Sequence, residues 1–359
     1  MLEIRNKKIL FILNSNEPSS IVRALVYKEE LIKRGAQPLF FNLYSPLLLR
    51  WINLTSFYPV KLLFRIINKF YFLFNEYLLM QKVIHFDIIV CVKYTDSILL
   101  KKIKSISKAK LVYDFDDAVW LDMFYGEEEF LKKVSLVDFV TSDNNYLAKH
   151  SSIYNKNSFV VNGPCQIEKF ISYKETLGKN THKSDLIILG WIGSPSTLFY
   201  LYKIYDALEL IGEKYPNVRL KLVGTGNDPL LIPPFEKIKV IKVPAYDQNE
   251  MIKNVFSFDI GLYPLFLNEL SLGRGALKAT IYMSGSVPVV CSAIGENTVI
   301  IKNGFNGLLA NNNDEWFEKL TFLIEDANLR KEIGENGFNF AMENYSIESC
   351  LTQLLEIIK

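Results

Sequence analysis

At 359 residues the chain is about twice as long as a typical single domain, so we expect two domains. It is 49% apolar and 22% charged, which excludes a disordered, collagen-like or disulfide-stapled protein, and a net charge of +2 excludes nucleic-acid binding through overall charge. The four cysteines lack metal-ligand spacing, and neither a signal-peptide core nor a membrane-length apolar run is evident. These features predict a cytoplasmic protein without a structural zinc site.

The first half of the chain alternates strand and helix signals. A helix is predicted at 21–34, and short apolar runs predict strands at 8–13, 39–43, 87–92, 110–113, 138–141 and 158–161. Because short apolar strands alternate with helices, we expect a parallel sheet covered on both faces.

The same pattern restarts after a polar stretch at 174–184, which we interpret as a linker. Strands are predicted at 186–192, 218–223, 238–243, 259–262 and 287–291. The sequence therefore predicts two tandem α/β domains with doubly wound parallel sheets, at 1–173 and 185–344. Ligands of such sheets bind at the carboxyl ends of the strands, so the predicted site is the cleft between the domains.

The segment 46–84 departs from this rhythm. Its polar residues recur at nearly helical spacing from Lys61 onward, which predicts a helix with a wide apolar face and a narrow basic stripe. One interpretation is that the segment binds the anionic surface of the cell membrane at its inner face. The aromatic anchors would be Trp51, Tyr58, Phe70, Tyr71 and Phe72. The other interpretation is an ordinary helix packed between domains or subunits.

The stretch 259–307 carries a candidate phosphate site. A helix is predicted to open at Gly273-Arg274-Gly275 after a polar loop, and the backbone N–H groups of a helix start attract anions. Glu269 in the preceding loop can accept hydrogen bonds from sugar hydroxyls, and Arg274 and Lys278, four residues apart, can reach one phosphate cluster. The alternative is a buried helix with solvated basic residues. The residues of this candidate anion site are Gly273, Arg274, Gly275, Ala276, Leu277 and Lys278.

The same stretch resembles the C-terminal domain of retaining GT-B glycosyltransferases of group 1 (family four-like). The likeness extends over almost the whole second half of the chain. Its motifs are Lys278, Tyr282-Met283-Ser284, Gly285, Pro288-Val289-Val290, Gly295, Asn303-Gly304, Asn306-Gly307, Trp316 and Asn344-Tyr345-Ser346.

The resemblance implies a GT-B fold, in which two Rossmann-like domains face a cleft and a last helix, 345–359, returns to the first domain. It implies sugar transfer from a nucleotide-diphosphate sugar to a glycan or lipid-linked acceptor with retention of configuration, as in bacterial envelope polysaccharide or lipopolysaccharide synthesis. Neither a donor-bound metal nor another cofactor is implied.

The resemblance also assigns donor-binding loops. The loop after the first strand of the second domain would face the diphosphate, and Tyr246 would stack on the nucleotide base. Apart from the resemblance, a Gly-x-Gly that follows another strand predicts a tight turn beside them. An exposed turn aromatic is the common alternative for Tyr246, and a lone Gly-x-Gly is weak evidence. The loop residues assigned by the resemblance are Gly193, Ser194, Ser196 and Thr197, and the predicted turn contains Gly224 and Thr225.

Two features depart from the family pattern. The usual pair of Glu residues falls on Gly273 and Ile281, with Glu269 the nearest substitute, and the usual Arg and Lys after the first strand are replaced by the Ser-rich loop. We infer a subfamily in which Arg274 and Lys278 supply the positive charge. The alternatives are a degenerate, non-catalytic GT-B module that binds a nucleotide or glycan, and a nucleotide-sugar epimerase, which would need acid/base pairs and usually a His.

In the first domain, Asp114, Asp116 and Asp117 follow a strand, and carboxylates this close repel one another. Asp116 or Asp117 can orient or deprotonate an acceptor hydroxyl, whereas Asp114, nearest the strand, is the more structural member. A metal-binding pair, or a helix cap with solvated acids, are the alternatives. The first turn adds three acceptor-side candidates, Asn14, Ser15 and Arg23. Arg23 is equally well explained as a surface residue of the first helix.

Overall fold

The computed structural model describes residues 4–15, 17–122, 126–177 and 185–358. The chain divides into two compact units. Unit 1 takes the chain up to Pro164, together with Gly273–Gly275 and the C-terminal segment from Ile347, and unit 2 takes Cys165–Leu272 and Ala276–Ser346.

Each unit is built on a six-stranded sheet whose strands are all parallel in the described residues. The sheet orders are β2-β1-β3-β4-β5-β6 and β12-β11-β10-β7-β8-β9. The strands are β1 (Lys8–Leu13), β2 (Gln37–Asn42), β3 (Ile88–Val92), β4 (Lys110–Phe115), β5 (Phe139–Ser142), β6 (Ser158–Val160), β7 (Ile187–Ile192), β8 (Val218–Val223), β9 (Lys239–Val243), β10 (Ile260–Tyr263), β11 (Val289–Ser292) and β12 (Leu308–Ala310).

Sixteen α-helices are assigned in the described residues. They are α1 (Pro18–Arg23), α2 (Lys28–Lys33), α3 (Pro46–Leu54), α4 (Tyr58–Lys82), α5 (Ser97–Ile106), α6 (Gly126–Leu136), α7 (Asn145–Ser152), α8 (Ile167–Leu177), α9 (Tyr205–Lys214), α10 (Gln248–Val255), α11 (Glu269–Leu272), α12 (Leu277–Ser284), α13 (Asn297–Ile300), α14 (Asn313–Glu325), α15 (Ala327–Tyr345) and α16 (Ile347–Ile357). Short 3₁₀ helices occupy Leu25–Tyr27, Val83–His85, Val119–Leu121, Pro195–Ile204 and Pro229–Leu231.

The sheets are buried on both faces, which confirms the predicted α/β class with two doubly wound domains. In unit 1, β3 is buried along its whole length, and two core clusters lie on its opposite sides, one containing Ile89 and the other Val90. Side chains of a strand alternate between faces, so a strand covered on both sides reads as a continuous apolar run. In unit 2, Leu189 and Ile192 likewise belong to different core clusters.

The strand orders place a topological switch in each sheet. In unit 1 the chain runs from β1 to β2 on one side and then to β3 on the other, and in unit 2 it runs from β7 to β8 and β9 and then returns to β10. Ligands of doubly wound sheets bind outside the carboxyl ends of the strands at such points. These ends carry most of the predicted site residues.

The division between the units differs from the predicted domain boundary at 173. The chain enters unit 2 at Cys165, whose N–H donates to the Tyr345 carbonyl at 2.9 Å. Ile167 and Phe170 of α8 pack in the core cluster of unit 2, so this helix belongs to unit 2. The predicted linker, 174–184, begins inside α8, and its residues 178–184 lie outside the described residues.

The C-terminal helix α16 belongs to unit 1. Its Leu351 and Leu354 lie in the same core cluster as Ile9 of β1. The guanidinium of Arg34 donates to the Glu348 carbonyl at 3.1 Å, which adds a polar contact between the helix and unit 1.

The predicted continuous helix at 21–34 is wrong. The structure has α1, a 3₁₀ turn at Leu25–Tyr27 and α2 in its place. Ala24 interrupts the helix with φ −140° and ψ −63°, which lies outside the α region.

Candidate functional site

Two glycines form a close backbone contact at the carboxyl ends of β7 and β8. Gly224 has φ +87°, and a Cβ placed on it would lie 1.9 Å from the Gly193 carbonyl oxygen. A Cβ on Gly193 would lie 2.7 Å from Nζ of Lys278. A side chain at either position would require the surrounding residues to move, so the structure depends on glycine at both.

Lys278 of α12 brings a positive charge to these glycines. Its half-buried side chain places Nζ 3.4 Å from Oγ1 of Thr197 and 4.6 Å from the ring centroid of Trp191. The Tyr263 ring centroid is 5.8 Å from the same nitrogen. Aromatic faces attract a cation, so the two rings help to hold the ammonium group at the end of β7.

The loop after β7 presents two hydroxyl groups. Ser194 and Ser196 are exposed, and their Oγ atoms are 2.9 Å apart. Thr197 is buried and donates its hydroxyl hydrogen to the Ser194 carbonyl at 2.9 Å. The segment that follows is a 3₁₀ helix, and Pro195 is its first residue.

Tyr246 closes one side of the same glycine pair. Its hydroxyl donates to the Gly193 carbonyl at 3.4 Å, and a Cβ on Gly224 would lie 2.6 Å from its Cε1 atom. Partial burial raises the pKa of Tyr246 above its usual value. Thr225 is buried and directs its hydroxyl to the Gly226 carbonyl at 3.1 Å, so its side chain stabilises the turn.

The predicted helix start at 273–275 is wrong. Glu269 opens the short helix α11 and is exposed, and α12 begins only at Leu277, with Ala276 as its N-cap residue. Arg274 therefore lies in the loop before the helix, and the helical spacing expected between Arg274 and Lys278 does not hold. By their contacts, the residues Gly273–Gly275 group with unit 1.

In unit 1, Arg23 is the centre of a buried ion-pair cluster. Its guanidinium donates to both carboxylate oxygens of Asp114, at 2.8 and 2.7 Å, and to Asp143 Oδ1 at 3.2 Å. A further N–H donates to the Val161 carbonyl at 2.6 Å, and Thr141 donates to Asp114 at 2.6 Å. These contacts favour structural roles for Arg23 and Asp114, because the guanidinium is only 1% exposed.

Asp143 is the member of this cluster with an altered acidity. Burial raises the pKa of its carboxyl group to about 7, and the nearby Arg23 offsets only part of that effect. The N–H of Gly163 donates to Asp143 Oδ1 at 2.6 Å. A carboxyl group with a pKa near neutrality can exchange a proton at physiological pH.

Lys93 pairs with the two acidic residues proposed as acceptor-side catalysts. Its Nζ lies 2.8 Å from Asp116 Oδ1 and 2.5 Å from Asp117 Oδ2, and it donates to Ser19 Oγ at 3.0 Å. Burial lowers the pKa of Lys93, but the two carboxylates outweigh burial and raise it above its usual value. The expected repulsion among neighbouring carboxylates is thus relieved by Arg23 on one side and Lys93 on the other.

The remaining acceptor-side candidates follow β1. Asn14 is half-buried and Ser15 is buried, and the Asn14 carbonyl accepts from the Tyr44 N–H at 2.9 Å. Both residues lie at the topological switch of unit 1, directly after β1, as the sequence predicts. Their acceptor-side role stays a prediction.

Comparisons with known proteins find a family model that matches most of the second half of the chain. Residues 173–340 match the family model "Glycosyl transferases group 1". An uncharacterized glycosyltransferase of Methanocaldococcus jannaschii is 41% identical over 71 residues, which make up 19% of this chain and 20% of that relative. The chain therefore matches only about a fifth of that curated relative's length.

Solved structures resemble the whole chain. A glycosyltransferase from Rickettsia africae has a TM-score of 0.67 and 17% identity, covering 99% of this chain and 98% of that one. HepE of Anabaena, solved in complex with UDP and glucose, has a TM-score of 0.63 and 16% identity, with 98% and 99% covered. At these identities the likeness shows the fold, which is GT-B.

The stretch that matches the group 1 glycosyltransferase model is residues 173–340. Within it the structure brings together Gly193, Thr197, Gly224, Tyr246 and Lys278. These residues were predicted to belong to the donor site from four separate stretches of sequence.

The matched stretch also contains a site residue that was not predicted. Trp191 lies directly under Lys278, and its position next to the end of β7 was the available signal. In unit 1, Lys93 and Asp143 were missed although each directly follows a strand, β3 and β5. The rule that ligands meet the carboxyl ends of strands would have singled out both.

The described residues contain no group of three or more His, Cys, Asp or Glu able to hold a metal ion. His150 stacks on Trp120 with ring centroids 3.9 Å apart, and its Nε2 lies 3.0 Å from Glu127. These contacts are in unit 1 and involve none of the predicted donor-site residues. They give no support to the epimerase alternative, which needs a His beside the nucleotide sugar.

Proposed function

We propose that the protein is a glycosyltransferase that moves a sugar from a nucleoside diphosphate sugar to a hydroxyl of a glycan or lipid-linked acceptor, with retention of anomeric configuration. The observation that carries the proposal is the convergence of Lys278, Thr197 and Tyr246 on the glycine pair Gly193–Gly224.

Each group suits one part of such a donor. Backbone without side chains at Gly193 and Gly224 lets phosphate oxygens approach, and the Lys278 ammonium supplies positive charge. The exposed hydroxyls of Ser194 and Ser196 can donate hydrogen bonds to the same oxygens. The partly exposed ring of Tyr246 offers a face for a base.

The chemistry is a displacement at the anomeric carbon. The bond from this carbon to the diphosphate oxygen breaks, and a bond to the acceptor oxygen forms on the same face of the sugar. The acceptor proton passes to the departing phosphate oxygen, while Lys278 and Arg274 stabilise the negative charge that develops there. Asp116 and Asp117 would orient the acceptor hydroxyl. No metal or further cofactor is part of this proposal.

The acceptor and the setting rest on the family resemblance. We place the reaction in bacterial envelope polysaccharide or lipopolysaccharide synthesis, with the protein in the cytoplasm. UDP is the first nucleotide to test, since HepE was solved with UDP and glucose.

The donor class is tested by thermal unfolding with UDP, GDP, ADP, CMP and dTDP, on the wild type and on Arg274→Ala. A ligand present at a hundred times its Kd adds about 2.7 kcal/mol of stability, which moves the Tm by several degrees. We expect one nucleoside diphosphate to raise the Tm of the wild type and to raise that of Arg274→Ala much less.

Lys331→Ala is the matched control, because Lys331 is exposed on α15 and should leave the shift unchanged. If none of the nucleotides moves the Tm of the wild type, the donor-site proposal is wrong.

A further inference from the structure

The long helix α4 faces the rest of unit 1 with two buried asparagines. Asn68 and Asn75 are 5% and 8% exposed. The Asn68 Oδ1 accepts from the Ser45 N–H at 3.2 Å, and Asn75 Nδ2 donates to the carbonyls of Asn42 and Leu43 at 3.2 and 3.3 Å. The two asparagines are thus anchors that hold the helix to the sheet edge, and they do not belong to the predicted basic stripe.

The opposite face of α4 is apolar and exposed. At about 100° per residue, Ile66, Phe70 and Tyr77 lie roughly 160–200° around the helix from Asn68. Phe70, Phe74 and Tyr77 are 68%, 60% and 62% exposed. The other large apolar residues exposed on this helix are Tyr58, Leu62, Leu63, Ile66, Ile67, Tyr71 and Leu73.

Helix α3 extends this face. Leu47, Trp51 and Leu54 are exposed at spacings that place them along one side of the helix. The Trp51 and Phe64 rings, 6.3 Å apart, join α3 to α4. An apolar surface of this length, about 37 Å along α4 alone, exceeds what a protein ordinarily leaves exposed to water.

The charges beside this face are basic. Arg65 and Lys69 lie at its border, about 60–100° from Asn68, and are exposed. The one acidic residue in the sequence 46–84 is Glu76, and it already pairs with Lys102 at 2.5 Å. A second copy docked on the same face would bring two basic borders together with no acidic residue to match them. An anionic phospholipid bilayer matches both features, because its acyl chains can cover the apolar face and its headgroups can pair with the basic border.

We propose that α3 and α4 form a docking face for an anionic phospholipid bilayer, with α4 lying in the plane of the interface. The apolar residues opposite Asn68 enter the boundary between headgroups and acyl chains, and Arg65 and Lys69 contact phosphates. No helix among the described residues meets the length and hydropathy required of a membrane span. This proposal is independent of the proposed transfer reaction.

The test uses the full chain and vesicles of phosphatidylcholine with or without phosphatidylglycerol, with binding measured by sedimentation. Trp51 provides a second readout because it is 50% exposed, while Trp120, Trp191 and Trp316 are at most 7% exposed. We expect binding to the anionic vesicles together with a blue shift of tryptophan emission, and we expect Trp51→Phe to bind without the shift.

Two variants separate the contribution of the apolar face to vesicle binding from that of the basic residues. Replacing Ile66, Phe70 and Tyr77 together by Ser should lower binding by more than about tenfold without loss of folding, since all three side chains are exposed. Replacing Lys61, Arg65 and Lys69 by Glu should abolish the preference for phosphatidylglycerol. The matched control replaces three exposed apolar residues elsewhere, Ile153, Leu210 and Phe322, by Ser and should bind as the wild type does.

The proposal is overturned if the wild type ignores anionic vesicles, or if the Ile66, Phe70 and Tyr77 variant binds as well as the control. It is also overturned if light scattering shows a dimer that this variant converts to a monomer while vesicles bind neither protein. A second copy of the chain would then be the occupant of the face.

Discussion

Replacing Arg23 by Met should lower the free energy of unfolding by about 3–5 kcal/mol. The guanidinium is buried and satisfies the carboxylates of Asp114 and Asp143 together with the Val161 carbonyl. Met keeps most of the apolar stem but leaves two buried acids without their cation. Urea unfolding measures the loss, and hydrogen exchange should show it in the peptides of β4 and β5.

The double variant Arg23→Met/Asp114→Asn identifies the cause. If the stranded carboxylate is responsible, removing its charge should restore part of the lost stability, so the two effects should not add. Arg219→Met is the control, since this guanidinium donates to the nearby carbonyls of Pro216 and Val218. An Arg23→Met protein that unfolds at the urea concentration of the control would contradict the structural role given to Arg23.

The second large effect is expected at Lys278. Lys278→Met should slow turnover of the nucleotide sugar by about 10²–10³-fold, because it removes the charge placed to stabilise the departing diphosphate. Met retains much of the side chain's length and its packing on Trp191, so the unliganded protein should unfold near the wild-type temperature. The measurement is steady-state release of the nucleoside diphosphate, using the donor found by titration.

Lys331→Met is the control variant, because it makes the same substitution at an exposed lysine of α15 that belongs to no proposed site. It should turn over like the wild type. Equal rates for Lys278→Met, Lys331→Met and the wild type would remove Lys278 from the mechanism.

Much of the fold could be predicted from the sequence because buried parallel strands are continuous apolar runs. The prediction at 218–223 coincides with β8 (Val218–Val223), and most of the other predicted strands lie within one or two residues of those in the structure. β12 was missed because Leu308–Ala310 is too short to form a recognisable run. The interruption of the first helix at Ala24 and the late start of α12 at Leu277 depend on local backbone geometry, which the periodicity of apolar residues does not reveal.

The candidate site was predictable where loops follow strands and a family motif is present, as at Gly193, Gly224 and Lys278. Pairings between distant side chains were not predictable. Arg23 and Asp114 are 91 residues apart, and a sequence pattern cannot show that a helix residue reaches that carboxylate. The same holds for α4, whose composition indicates an amphipathic helix but does not reveal that its asparagines point inward.

The most direct test of the proposed function is donor hydrolysis by the purified wild-type protein without an added acceptor. Incubation with the nucleotide sugar that carries the titrated nucleotide should release the nucleoside diphosphate and free sugar slowly, and faster than Lys278→Met does. If the protein binds the nucleotide but releases no more diphosphate than a reaction without protein, it is a binding module that retains the fold without the transferase reaction.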